Sequence, residues 1–205
     1  MDIADRLAAA PDGEEAAAGA ELARLRARVA RLESERAALW WDIHHDDLTG
    51  LANRRLLDTV GPAMLRKAGR YAVLVLDLDG FKPVNDRFGH AVGDEVLCTV
   101  GRRLSGCLTD DLAVRLSGDE FAAVLTESSL SGGHRDWPSL VGAIWAAVAE
   151  PMTIAGNRLV VTASIGVTTG TREPATMTEL IRRADLAMYH AKANRHRTYV
   201  AWDRH

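Results

Sequence analysis

From Ala20 the chain places apolar residues at alternating steps of three and four: Leu22, Leu25, Val29, Leu32, Leu39 and Ile43, with Arg36 as the one break. Such a heptad seam, with Arg24, Arg26, Arg28, Arg31, Glu33 and Glu35 off it, predicts one amphipathic helix over residues 20–45. Two packings suit that stripe: against the helix's own domain, or against a second copy in a parallel coiled coil. The parallel two-helix coil is favoured; a polar residue such as Arg36 at one core position costs stability but helps fix register and strand number. Before it, residues 1–19 are rich in Ala, Glu and Gly and read as a flexible leader.

After Trp40 and Trp41 the period changes. "YAVLVLDLDGF" (Tyr71 to Phe81) is a β-rich apolar run with Asp77 and Asp79 at its outer end. "LAVRL" and "FAAVL" form the arms of a hairpin around Ser117 to Glu120. "RLVVTASIGVTT" (Arg158 to Thr169) predicts another strand, with Gly166 as a bulge. Helices are expected at about Arg54 to Ala68, Gly93 to Ser105, Trp137 to Ala149 and Met177 to Asn194. Helices alternating with strands that include a true hairpin predict an α/β (α+β) sandwich on a mixed central sheet. The remainder, residues 46–205, forms one domain.

Composition narrows the function. A chain of 205 residues supports one well-cored domain and a short appendage, and 47% hydrophobic with 26% charged residues is a globular composition. A net charge of −3 gives no whole-molecule attraction for nucleic acid or an anionic membrane, so neither is an expected partner. No window approaches the ~20 apolar residues that span a bilayer. Cys98 and Cys107 supply neither a disulfide framework nor a zinc site; a reducing, cytoplasmic location is expected.

Asp77 and the pair Asp119 and Glu120 sit at a strand end and a hairpin tip that neighbouring strands can bring together. Crowded carboxylates need a cation between them, and an all-oxygen set favours Mg²⁺ or Mn²⁺ over zinc. Asp79, Gly80, Phe81 and Lys82 form a turn whose N–H groups and ammonium can hold phosphate oxygens. Asn85 and Asp94 can read a guanine edge, the carboxylate accepting from N1–H and N2–H₂. Each has a plainer reading: turn chemistry for Asp79 and Gly80, a helix cap for Asn85, an N-terminal helix acid for Asp94. Lys192, Arg195, His196 and Arg197 are either a phosphate clamp or a solvated helix end.

The ordered blocks "DDLTGLANRR", "DLDGFKPVNDRFGH", "GDEVL", "RLSGDEF", "SIGV" and "ADLAMYHAK", between Asp46 and Tyr199, resemble the GGDEF-domain diguanylate cyclases. The resemblance implies a nucleotidyl-cyclase-like fold with the signature on a β-hairpin. It also implies a homodimer that condenses two GTP into cyclic di-GMP and releases two pyrophosphates, with two Mg²⁺ (or Mn²⁺) per active site. Carried over by position, the metal ligands are Asp77, the backbone at Leu78, Asp119 and Glu120, and the last two are the catalytic candidates. Asn85 and Asp94 read guanine; Phe81, Lys82 and Lys192 lie at the phosphates; Gly118 lets the backbone approach the nucleotide. Arg195 and His196 stand where the family has glycine and arginine, and Arg197 is the expected substitute. Ser117 replaces the first signature glycine, which a negative φ tolerates and a positive φ strains. The family's inhibitory Arg-x-x-Asp is degenerate, its positions being Leu108 and Asp111, so ordinary product feedback is expected to be lost. Two other readings stand beside this one: a catalytically silent GTP- or dinucleotide-binding signalling scaffold, and a cyclase making an adenine-containing dinucleotide, which Asp94 disfavours.

Overall fold

The computed structural model describes residues 11–108, 110–128, 136–171, 175–193 and 199–202. The chain divides into two compact units, residues 1–43 and 44–205. The first is the helix α1 (Pro11–His44), which begins upstream of the seam. Ala and Glu are strong helix formers, so residues 11–19, expected as leader, join the helix. Its seam residues Leu22, Leu25, Val29, Leu32, Leu39 and Ile43 are exposed. Among the described residues no helix is long and apolar enough to cross a membrane.

The second unit is a three-layer α/β sandwich. Its elements are α2 (Arg54–Lys67), β1 (Arg70–Asp79), α3 (Phe81–Phe88), α4 (His90–Gly106), β2 (Leu112–Ser117), β3 (Glu120–Thr126), α5 (Trp137–Ala149), β4 (Met152–Ile154), β5 (Asn157–Leu159), β6 (Thr162–Thr171), α6 (Met177–Ala193) and β7 (Tyr199–Trp202). The central sheet runs β2-β3-β1-β6-β7. All its pairings are antiparallel except β6 with β7.

Alternation along β1 decides which residue faces which layer. Ala72, Leu74, Leu76 and Leu78 enter one core with Phe121, Ala123, Leu125 and the apolar faces of α4 and α5. Tyr71, Val73 and Val75 enter the other with Ala122, Val124 and residues of α2 and α6. Asp77 is in phase with the second set.

Three local expectations change. The single strand over Arg158 to Thr169 is two: β5 pairs with β4 in a separate small hairpin, and β6 joins the main sheet. Gly166 is no bulge. It pairs in regular register with Val75, and a Cβ there would overlap the Ala184 carbonyl and the Met188 amide of α6, so glycine serves close helix–sheet packing. The turn after Asp79 continues directly into the helix α3, entered through Gly80 at φ 72.

Candidate active site

The site stands where β1, β3 and β6 end together. Asp77 lies directly opposite Glu120 on one side and Ser164 on the other. Side chains at opposed positions are about 4.5–5.5 Å apart at Cβ, so the Asp77 and Glu120 carboxylates share one face within reach of a common cation. The Leu78 amide donates to the Asp119 carbonyl at 3.3 Å, which brings the hairpin tip to the end of β1.

The tip is a two-residue loop. Gly118 has φ 48, while Ser117 and Asp119 are not among the positive-φ residues; a glycine at the first central position is what a type II′ hairpin turn requires. Ser117 therefore carries no backbone strain, and its hydroxyl donates to Glu120 Oε2 at 3.0 Å.

Lys192, in the last turn of α6, places Nζ 2.7 Å from Asp77 Oδ1. Burial pushes the Asp77 carboxyl above its usual range, and the charges of Asp119 and Glu120 add to this, against the opposing pull of Lys192. Asp79, in contrast, turns onto β6: its Oδ1 accepts from Ser164 Oγ at 2.8 Å and its Oδ2 from Thr162 Oγ1 at 2.9 Å. Its work is to latch the end of β1.

Phe81 is 8% exposed and packs into the α4 and α5 core, so what α3 offers outward is the N–H groups of its first turn and the exposed Lys82. Asn85 on α3 and the exposed Asp94 on α4 lie on adjacent helices, and Gly93 fits beneath Asn85 so closely that a Cβ there would overlap Asn85 Oδ1. Arg195, His196 and Arg197 lie outside the described residues.

The inhibitory-site positions hold other duties. Leu108 packs against the core. Asp111 Oδ1 accepts from the Thr126 amide at 2.9 Å and from its hydroxyl at 3.0 Å, tying the start of β2 to the end of β3.

Sequence reasoning gave no role to Asp46 and Arg115, although both fall inside quoted motifs. Arg115 donates to the Gly118 carbonyl through Nε at 3.0 Å and Nη2 at 2.8 Å, and to Asp46 through Nη1 at 2.9 Å. Asp46 also accepts from the Thr49 amide and hydroxyl at 2.8 and 2.6 Å. Burial works against its charge, but the hydrogen bonds from Thr49 and Arg115 outweigh it and hold this carboxyl below its usual range. The segment at Asp46 to Gly50 is thereby bolted to the signature turn.

Among the described residues no three His, Cys, Asp or Glu side chains converge as a metal cage. The donor set nevertheless suits Mg²⁺, a hard cation usually held by one or two carboxylates with the remaining positions filled by water and substrate phosphates. The Lys192 ammonium is paired with the same Asp77 carboxylate.

Opposed carboxylates thus stand at a sheet end beside the N-terminus of α3. The chain belongs to the GGDEF family: the model of "Diguanylate cyclase, GGDEF domain" matches residues 43–198. It is 39% identical over 169 residues to diguanylate cyclase TpbB of Pseudomonas aeruginosa, covering 80% of this chain and 38% of TpbB. To the bifunctional diguanylate cyclase/cyclic di-GMP phosphodiesterase MucR of the same organism it is 37% identical over 153 residues, 72% of this chain and 22% of MucR. The chain thus spans well under half the length of these curated relatives. Among solved structures, the GGDEF domain of TpbB superposes with a TM-score of 0.65 at 33% identity, covering 77% of this chain and 99% of that one. The coiled coil and GGDEF domain of DgcB from Caulobacter crescentus, in complex with c-di-GMP, gives 0.73 at 25% identity, covering 89% and 98%.

Proposed function

We propose that this chain is a working diguanylate cyclase, condensing two GTP into cyclic di-GMP with release of two pyrophosphates. The observation that carries the reading is the direct opposition of Asp77 and Glu120 beside the first turn of α3. In each half-reaction a ribose 3′-oxygen forms a bond to the α-phosphorus of the other GTP, the bond from that phosphorus to the pyrophosphate oxygen breaks, and the 3′-hydroxyl proton goes to a carboxylate. Asp119 and Glu120 are the acceptors within the hairpin tip. Bound Mg²⁺ would lower the hydroxyl's pKa and neutralise the leaving group. Asp77, the Leu78 carbonyl, Asp119 and Glu120 would hold it. Asn85 and Asp94 orient guanine, while Lys82, Lys192 and the N–H groups of Phe81 and Lys82 hold the triphosphate.

A single such site binds one GTP, so ring closure needs two sites face to face. The seam over residues 20–45 is proposed to form a parallel coiled coil that pairs two chains and raises the effective concentration of one half-site at the other. Leu108 leaves no guanidinium at the inhibitory position and Asp111 is engaged by Thr126, which supports a cyclase without ordinary product feedback.

Chromatography of the products after incubation with GTP and Mg²⁺ tests the reading. The intact chain is expected to yield cyclic di-GMP and Glu120→Gln to yield none. GTP binding with no dinucleotide from the intact chain would refute catalysis and leave the scaffold reading.

A further inference from the structure

The contact between Lys192 and Asp77 occupies the carboxylate that the proposed function gives to a metal. Lys192 is 41% exposed at its side chain and Asp77 13%, so the ammonium reaches in from the solvent side over a largely covered acid. At 2.7 Å the ammonium takes up a carboxylate lone pair and cancels part of its field. A divalent ion arriving alone meets that positive charge at close range, where the interaction is strongest. The helix cannot carry the lysine away, because α6 is seated on Gly166 through the backbone of Ala184 and Met188. The side chain can, since lysine is a point charge on a flexible four-carbon stem.

We propose that Lys192 is an internal counterion of Asp77 in the nucleotide-free protein, displaced by an incoming divalent cation and recaptured by the phosphates of the nucleotide that accompanies it. The inference rests on the reading of Asp77 and Glu120 as metal-holding acids at a GTP site, and adds that one lysine has opposite effects on two ligands. Against a free cation it competes. With a triphosphate present it has a new anionic partner, and the charge left by Asp77 is made good. Coupling between two ligands is reciprocal, so the same side chain makes metal favour nucleotide and nucleotide favour metal.

The test is a titration with Mn²⁺ alone, following the free ion by electron paramagnetic resonance, in the wild-type chain, Lys192→Met and Lys192→Arg. It is then repeated in the presence of α,β-methylene GTP, whose carbon bridge blocks pyrophosphate release. Lys192→Met is expected to bind Mn²⁺ alone about fivefold more tightly, the scale of one partly exposed ion pair. Lys192→Arg keeps the charge and is expected to stay near wild type. With the nucleotide analogue the order reverses, and wild type binds Mn²⁺ more tightly than Lys192→Met. Equal or weaker binding of Mn²⁺ alone by Lys192→Met, or no binding by any form, overturns the inference. The first arm uses neither nucleotide nor turnover. A chain that passes it yet makes no dinucleotide loses the cyclase reading alone; an active cyclase whose variant fails it loses only the counterion.

Discussion

Gly166→Ala adds one methyl group at the place where α6 rests on the sheet. The new Cβ would overlap the carbonyl oxygen of Ala184 and the amide nitrogen and Cα of Met188. These are backbone atoms of a helix whose Leu180, Ile181, Ala184, Ala187, Met188 and Ala191 are buried, so no flexible side-chain end can give way. Overpacking of this kind costs about 1–3 kcal/mol, and an obstacle made of backbone puts the substitution toward the upper part of that range. Alanine stiffens the unfolded chain and returns roughly 0.5–1 kcal/mol. The net loss is about 1–2 kcal/mol, or a fall in Tm of roughly 2–8 °C at ~2–4 °C per kcal/mol for a domain of this size. The effect reaches the site as well. Met188 and Lys192 are one helical turn apart, about 6 Å, and Val75 and Asp77 are separated by nearly the same distance along the strand. A helix lifted at Met188 therefore carries Lys192 off Asp77. A thermal melt by circular dichroism, paired with Mn²⁺ titration of the same sample, reads both consequences: lower Tm and tighter binding of Mn²⁺ alone. A Gly166→Ala protein that melts at or above wild type would refute the packing argument, and with it the claim that this glycine sets the height of α6.

Arg115→Met removes both hydrogen bonds to the Gly118 carbonyl and leaves the half-buried Asp46 without its guanidinium; about 2–4 kcal/mol of stability is expected to go, with faster amide exchange at Asp119 and Glu120. Wild-type exchange rates at the tip would refute the bolt. Gly93→Ala pushes Asn85 Oδ1 aside, so KM for GTP is expected to rise roughly 5–100-fold with kcat much less affected, read from steady-state kinetics. Acid stability follows from Asp46 and Glu179. Hydrogen bonds from Arg182 and Arg183 hold Glu179 at about 2, and Asp46 is also held low. Acids depressed in the folded state stabilise it fully above their unfolded pKa and lose that contribution as pH falls through the folded value. Tm is expected to drop between about pH 4.5 and pH 2, and the drop to shrink in Glu179→Gln.

What the sequence made legible was whatever depends on near neighbours. The run from Tyr71 to Asp79, the hairpin around Ser117 to Glu120 and the apolar face from Leu180 to Ala191 each carry their period within a few residues, and the structure has each of them. The short helix α3 was hidden because the residues just before it, Asp79 and Gly80, are also turn formers and its single buried residue, Phe81, shows no period. Strands β4 and β5 are three residues each, too short for alternation to register. Arg115 and Asp46 are 69 residues apart, and a pairing at that separation leaves no local pattern.

The juxtaposition of Asp77 with Glu120 follows from phase. Once Tyr71, Val73 and Val75 are placed toward α2 and α6, Asp77 must follow them, and Glu120 must share that face with Ala122 and Val124. What phase could not give was the cation above them. The sequence offered Lys192 as either a phosphate ligand or a solvated helix end, because nothing in its own neighbourhood fixes the height or direction of α6. Gly166 fixes both. It lies opposite Val75 and under Met188, so the helix advances over β1 in the direction of Asp77 and delivers its next turn there. The pairing of the lysine with the acid is thus written in the coincidence of a missing side chain on β6 with a four-residue step on α6, a relation that exists only after the sheet has formed.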